Sequence, residues 1–169
     1  MGMRAFTFAL AAIAMMSSLP SASLAQGSIA FGSVKTDPSA PVEVSAENLE
    51  VNQNDGSAEF TGDVVIIQGE MRLSAALVRV VYKTGDDAQR TGIKSLNAKG
   101  AVILVNGNDA AEADEAEYDI DSGTIVMRGN VLLNQGDATL TSNQLIVDLR
   151  SGTAKMAGRV KTILSPSGN

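Results

Sequence analysis

The chain has 169 residues and a formal net charge of −6, with 44% hydrophobic and 19% charged residues, a balance that suits one globular domain and not a disordered or coiled-coil chain. It contains no Cys, no His and no Trp, which excludes thiol and imidazole catalysis, zinc sites of the usual ligand types and Cys-ligated iron–sulfur clusters. The acidic balance supplies no net field that would draw the chain to nucleic acid.

Residues 1–25 read as a secretory signal peptide. Arg4 is their only charge, Ala5 to Met16 form the apolar region, and small residues end at Ser23-Leu24-Ala25 before Gln26. The apolar run is too short to cross a bilayer, and no Cys follows it to carry a lipid anchor. Residues 26–40, rich in Ser, Gly and Ala, read as a flexible lead-in. The folded domain is expected over 41–166, and 167–169 are a tail.

All four prolines lie outside the stretch from Val42 to Ser165. Within it, short runs of Val, Ile, Leu and Thr are broken by Asn54-Asp55-Gly56, Thr84-Gly85-Asp86, Asn106-Gly107-Asn108, Asp121-Ser122-Gly123 and Arg150-Ser151-Gly152. β-Branched runs suit a pleated sheet, Gly-containing clusters suit reversals, and a Pro-free span suits unbroken ladders. The best helical candidate is Ala110 to Glu117, whose periodicity is poor.

An internal repeat organises this stretch. Residues 46–85 align without a gap on 113–152, with ten of forty positions identical, among them Gly62/Gly129, Val64/Val131, Gln68/Gln135 and Leu73/Leu140. The inner motif, Gly-x-Val with a further Gly seven residues after the first, recurs at Gly100, and a partial copy begins at Gly158. Units of ~29–38 residues, a few short strands each, are expected to stack and share a continuous core. With a period of two, Phe60, Val64 and Ile66 in the first copy and Met127, Val131 and Leu133 in the second face one side. Val65, Ile67 and Leu132 face the other. Val42 to Ser45 alternates as one sheet edge and Val160 to Leu164 as another, and unpaired edges invite pairing.

The segment from Pro41 to Tyr82, the string F-T-G-x-V-x-x-x-Q-G at Phe60 to Gly69, and the ending from Gly158 to Gly168 resemble the OstA-like family, over roughly residues 40–166. The resemblance implies an all-β fold, a twisted and open β-jellyroll of many short antiparallel strands. It also implies a periplasmic, non-enzymatic protein without cofactor or metal that transports lipopolysaccharide. Its hydrophobic groove would hold the acyl chains, lined by Phe60, Val64, Ile66, Leu73, Val102, Leu104, Val131, Leu133, Leu140 and Val147. Head-to-tail self-association would use the edges carrying Val42, Val44, Val160, Ile163 and Leu164. The partners implied are inner-membrane LptC with the lipopolysaccharide-export ATPase complex, and outer-membrane LptD.

Arg72, Arg79, Lys83, Arg90, Lys94, Arg150, Arg159 and Lys161 could meet lipid phosphates or simply form a solvated face. Glu115, Glu117, Asp119 and Asp121 share a strand face without the spacing of a calcium loop. From the residues alone, a structural or adhesive exported β-repeat protein without lipid cargo stands as the alternative. A glycan hydrolase is a further one, although no pair of acids facing a cleft is identifiable.

Overall fold

In the computed structural model, residues 28–32, 37, 39–52, 54–85 and 90–164 are described; the signal peptide, Pro38, Pro166 and the tail lie outside them. The described chain is all-β. Eleven strands follow in order: β1 (Ile29–Ala30), β2 (Glu43–Ser45), β3 (Asn48–Asn52), β4 (Ser57–Gln68), β5 (Met71–Thr84), β6 (Arg90–Asn106), β7 (Asp109–Asp119), β8 (Thr124–Gln135), β9 (Ala138–Asp148), β10 (Thr153–Ala157) and β11 (Lys161–Leu164). They form one antiparallel sheet in the order β1-β10-β9-β8-β7-β6-β5-β4-β2, with β3 also on β4 and β11 also on β9. From β4 to β10 every strand pairs with its chain neighbour, as a Pro-free succession of hairpins requires.

The repeat motif marks the places where the long strands bend. At Gly62-Asp63, Gly100-Ala101, Gly129-Asn130 and Gly158-Arg159 two consecutive residues have positive φ. At the first three the register slips: between Thr61 and Val64, between Lys99 and Val102, and between Arg128 and Val131. β5 and β7 slip opposite them, between Ser74 and Leu77 and between Glu112 and Glu115. Such two-residue bulges bend the strand locally and strengthen its twist, so each ladder consists of two short segments joined at a common line of bends. The hairpins beyond that line close at Gly69-Glu70, Gly107-Asn108 and Asn-free Gly136-Asp137, with positive φ at the Gly only, the pattern of a type II′ turn. At the opposite tips, Asp119 accepts a bond from the Ser122 N–H (2.7 Å), and Asp148 accepts from those of Arg150 (2.9 Å) and Ser151 (3.0 Å). These bonds hold both carboxyls below the usual carboxylate range.

The bends fold the sheet over so that its two sets of tips meet. Tyr118, near one set, donates to Gln68 Oε1 at 2.5 Å, near the other. The inward side chains of both halves form one hydrophobic core. The fold is the open β-jellyroll expected from the sequence.

Ala110 to Glu117, the best of the poor helical candidates, is strand, in keeping with the all-β expectation: Ala111, Ala113, Ala116 and Tyr118 point inward and are buried, and the bulge between Glu112 and Glu115 explains why their spacing departs from two. One expectation needs correction. The presumed loose lead-in is partly built into the roll. Ile29 pairs with Ala154, Ala30 with Thr153, and Phe31 is fully buried; three consecutive apolar residues have more to gain from the core than the surrounding Ser and Gly have from solvent.

Candidate functional site: the interior and edges of the roll

The interior is almost wholly aliphatic. Among the described residues its fully buried aromatics are Phe31 and Tyr118, and the rest of the large side chains are Leu, Ile, Val and Met, interspersed with Ala. Val64, Ile66, Leu73, Val102, Leu104, Val131, Leu133 and Val147 are buried in this core, while Phe60 and Leu140 are partly buried and packed against it. The ten residues singled out in the sequence therefore occupy one continuous interior, four strands or more wide. Val65, Ile67 and Leu132 lie on the outer face, with Ile67 38% exposed.

A few polar side chains interrupt this lining, at the tips. Gln68 donates to the Ala40 carbonyl (2.9 Å) as well as accepting from Tyr118. Asp109 accepts from the Gly32 N–H (2.7 Å) and from Gln135 Nε2 (2.9 Å), and Gln135 also donates to the Ala30 carbonyl (2.7 Å). Burial pushes the Tyr118 phenol up to about 12. Sequence reasoning missed this polar seam. The signal was present: Gln68 and Gln135 are identical positions of the repeat, on the inward parity of Ile66 and Leu133.

The Tyr118 bond makes a prediction. A phenol whose folded pKa exceeds its unfolded one contributes stability that is fully present below about pH 10 and is lost as the pH rises through 12. Tyr118→Phe is expected to cost about 1–2 kcal/mol at pH 7, from the lost bond and the buried Gln68 oxygen, but to flatten the loss of stability between pH 10 and 12. Urea midpoints of both proteins at pH 7 and pH 11 measure this; an equally steep alkaline loss in the Phe protein would contradict it.

The edges are unlike. At one, β2 and β3 follow the outer side of β4, with Val42 and Val44 partly buried and Leu49 and Val51 exposed. At the other, β11 lies on β9 and presents Ile163 and Leu164, 51% and 72% exposed, with Val160 beside them. β10, next to β11 on the same side of β9, carries β1.

Charged residues lie on the outer face and at the tips. Arg79 pairs with Asp55, Lys83 with Asp121, and Arg128 with Glu117 at 3.7 Å; Arg150 donates to the Asp121 carbonyl. Arg72, Lys94, Arg159 and Lys161 are exposed. Glu115, Glu117 and Asp119 lie on the outward parity of β7, and no group of three or more acidic side chains suited to a metal ion occurs among the described residues.

Comparisons with known proteins agree with this geometry. A family model described as LptA/(LptD N-terminal domain) LPS transport protein matches residues 43–153. An uncharacterized protein of Rhizobium meliloti (strain 1021) is 30% identical over 92 residues, covering 53% of this chain and 50% of the relative, so the chain spans about half the length of that curated relative. The crystal structure of LptH, the LptA homologous periplasmic component of the lipopolysaccharide transport device from Pseudomonas aeruginosa, superposes with a TM-score of 0.63 at 17% identity, over 78% of this chain and 99% of that one. At that identity the match speaks for the fold.

Proposed function

The chain belongs to the family of LptA and LptD N-terminal-domain lipopolysaccharide transport proteins, and on that premise we propose that it shields the acyl chains of lipopolysaccharide in its roll and passes them between copies joined head to tail. The observation that carries the reading is an aliphatic interior running from one sheet edge to the other, in a sheet whose two edges differ.

Wetting acyl chains is what opposes lipid movement through water. Each exposed methylene costs about 0.8 kcal/mol, so a chain of about a dozen carbons costs on the order of 10 kcal/mol. An interior lined by Ile66, Leu104, Leu133 and their neighbours removes that cost without any chemical step. A lining of many flexible aliphatic side chains and few aromatic rings suits a sliding chain. Because the same side chains pack against one another in the core, lipid entry requires the two halves of the roll to part at the seam where the tips meet. Pairing of the β2/β3 edge of one copy with the β10/β11 edge of the next is heterologous and propagates as an open filament. In this reading residues 1–25 direct export, the domain of residues 41–166 is joined by Ile29–Phe31 from the lead-in, and the protein works in the periplasm. LptC with the export ATPase complex stands at the inner-membrane end of the bridge, and LptD at the outer-membrane end. No helix among the described residues is long and apolar enough to cross a membrane.

Photo-crosslinking amino acids at Ile66 and Leu133 test the reading in cells. Adducts with lipopolysaccharide are expected from both positions and not from Arg128, which is exposed on the outer face. Adducts from Arg128 alone would defeat it, and filaments of copies carrying no lipid would favour a structural β-repeat protein.

A further inference from the structure

Phe31 and Gly32 occupy the seam of the roll, although they belong to neither of its halves. The Phe31 N–H donates to the Gly152 carbonyl at one set of tips (3.0 Å), and the Gly32 N–H donates to Asp109 at the other (2.7 Å). Gln135 holds the Ala30 carbonyl from the same side as Asp109. Between these bonds the Phe31 ring is buried in the core with 0% exposure. The chain reaches the same seam again at Ala40, whose carbonyl accepts from Gln68.

Two features mark this as a weak closure. Ile29–Ala30 makes a ladder of only two residue pairs on β10. Beneath Gly32, Asn106 is 1% exposed, yet among the described residues neither its amide nitrogen nor its oxygen has a hydrogen-bond partner. A Cβ at position 32 would lie 2.4 Å from that nitrogen, so only glycine fits over this buried amide, which the segment covers without satisfying. Orphaned buried polar groups are costly, and this one is relieved when the segment lifts away.

We propose that Ile29–Gly32 is a displaceable intrachain plug, with the Phe31 ring filling interior space that an acyl chain takes when the seam opens. The proposal rests on the lipid reading for the identity of the incoming ligand, but the opening itself does not. Asp109 and Gln135, freed from the backbone they now hold, line the opened seam together with the Asn106 amide. Lifting β1 also bares Thr153 and Ala154 on the β10 edge.

The chain has no cysteine of its own, so Ala30→Cys with Thr153→Cys, a facing pair in the register, gives a single disulfide that locks the plug. With the exported chain and a fluorescent lauroyl fatty acid as probe, the oxidised double variant is expected to bind at least tenfold more weakly than its reduced form. Phe31→Ala is expected to bind at least threefold more tightly than the parent. Equal binding by oxidised and reduced forms would overturn the plug. Hydrogen exchange gives a reading without lipid: the Phe31 and Gly32 amides should exchange at least tenfold faster than those of Leu145 and Val147. Equal protection would overturn the proposal. Fast exchange of the seam amides with no probe bound by any variant would sink the lipid reading and leave the plug standing.

Discussion

Replacing Gly129 with valine is expected to destabilise the protein by about 2–4 kcal/mol. The residue has φ +80, followed by Asn130 at +47, and a β-branched side chain in the left-handed region costs about 1–2 kcal/mol by itself. Space adds to the cost. A Cβ at Gly129 would lie 2.3 Å from Asp114 Oδ2 and 2.9 Å from the Asp114 Cβ. Asp114 cannot swing aside freely, because its carboxylate accepts from Asn130 Nδ2 at 2.9 Å, a bond worth about 1 kcal/mol. Gly136 is the control: its φ is +56, but nothing lies within 4 Å of the position a Cβ would take. Gly136→Ala should therefore cost about 1–2 kcal/mol, the backbone term alone. Urea unfolding of the three proteins decides it. If Gly129→Val costs no more than Gly136→Ala, the bend is not held by the Asp114 contact.

Removing residues 160–169 is expected to weaken concentration-dependent association about a hundredfold while leaving the fold. β11 pairs on one side only, with β9, and all four of its residues are exposed, so its loss removes little buried apolar area from the monomer. In the proposed head-to-tail joint, covering Ile163 and Leu164 would contribute on the order of 3 kcal/mol after partial burial, which corresponds to about a hundredfold in the dissociation constant. Sedimentation velocity across a range of concentrations, with a thermal melt of each protein alongside, measures both halves of the expectation. Oligomers that persist at the same concentrations after truncation would move the joint away from β11. A melt lowered as far as that of Gly129→Val would assign these residues to the monomer's own stability.

Much of this architecture is readable in the sequence because it is periodic. The recurrence of Gly-x-Val at 62, 100, 129 and 158 follows from one physical demand, a two-residue bend with positive φ at each crossing of a shared line. Inward parity follows from the two-residue period within each segment, so Val64, Ile66, Val131 and Leu133 could be placed together before any coordinates. What the sequence does not expose is whatever depends on the closing of the roll. Tyr118 and Gln68 meet only because two sets of tips, 50 positions apart at these residues, are brought together. Phe31 looks like an isolated aromatic in a Ser- and Gly-rich lead-in until β10 supplies a partner strand. Residues 110–117 carry the strongest helical signal for a local reason: Ala and Glu have high helix propensity, and tertiary burial of alternate alanines overrides it. The polar seam was the nearest miss, since identity of Gln68 and Gln135 at an inward position, where an apolar side chain would be ordinary, already signals a shared hydrogen-bonding task.

The line of bends has one more consequence. Because the strands bend along a shared line and the inward side chains are almost all aliphatic, the interior is chemically much alike from one edge of the sheet to the other. A long, featureless guest would gain or lose almost nothing by shifting along it, so its energy profile is a plateau and not a well. Such a profile retains cargo against escape sideways without choosing where along the axis it stops. Net drift then requires only that one end be loaded more often than the other.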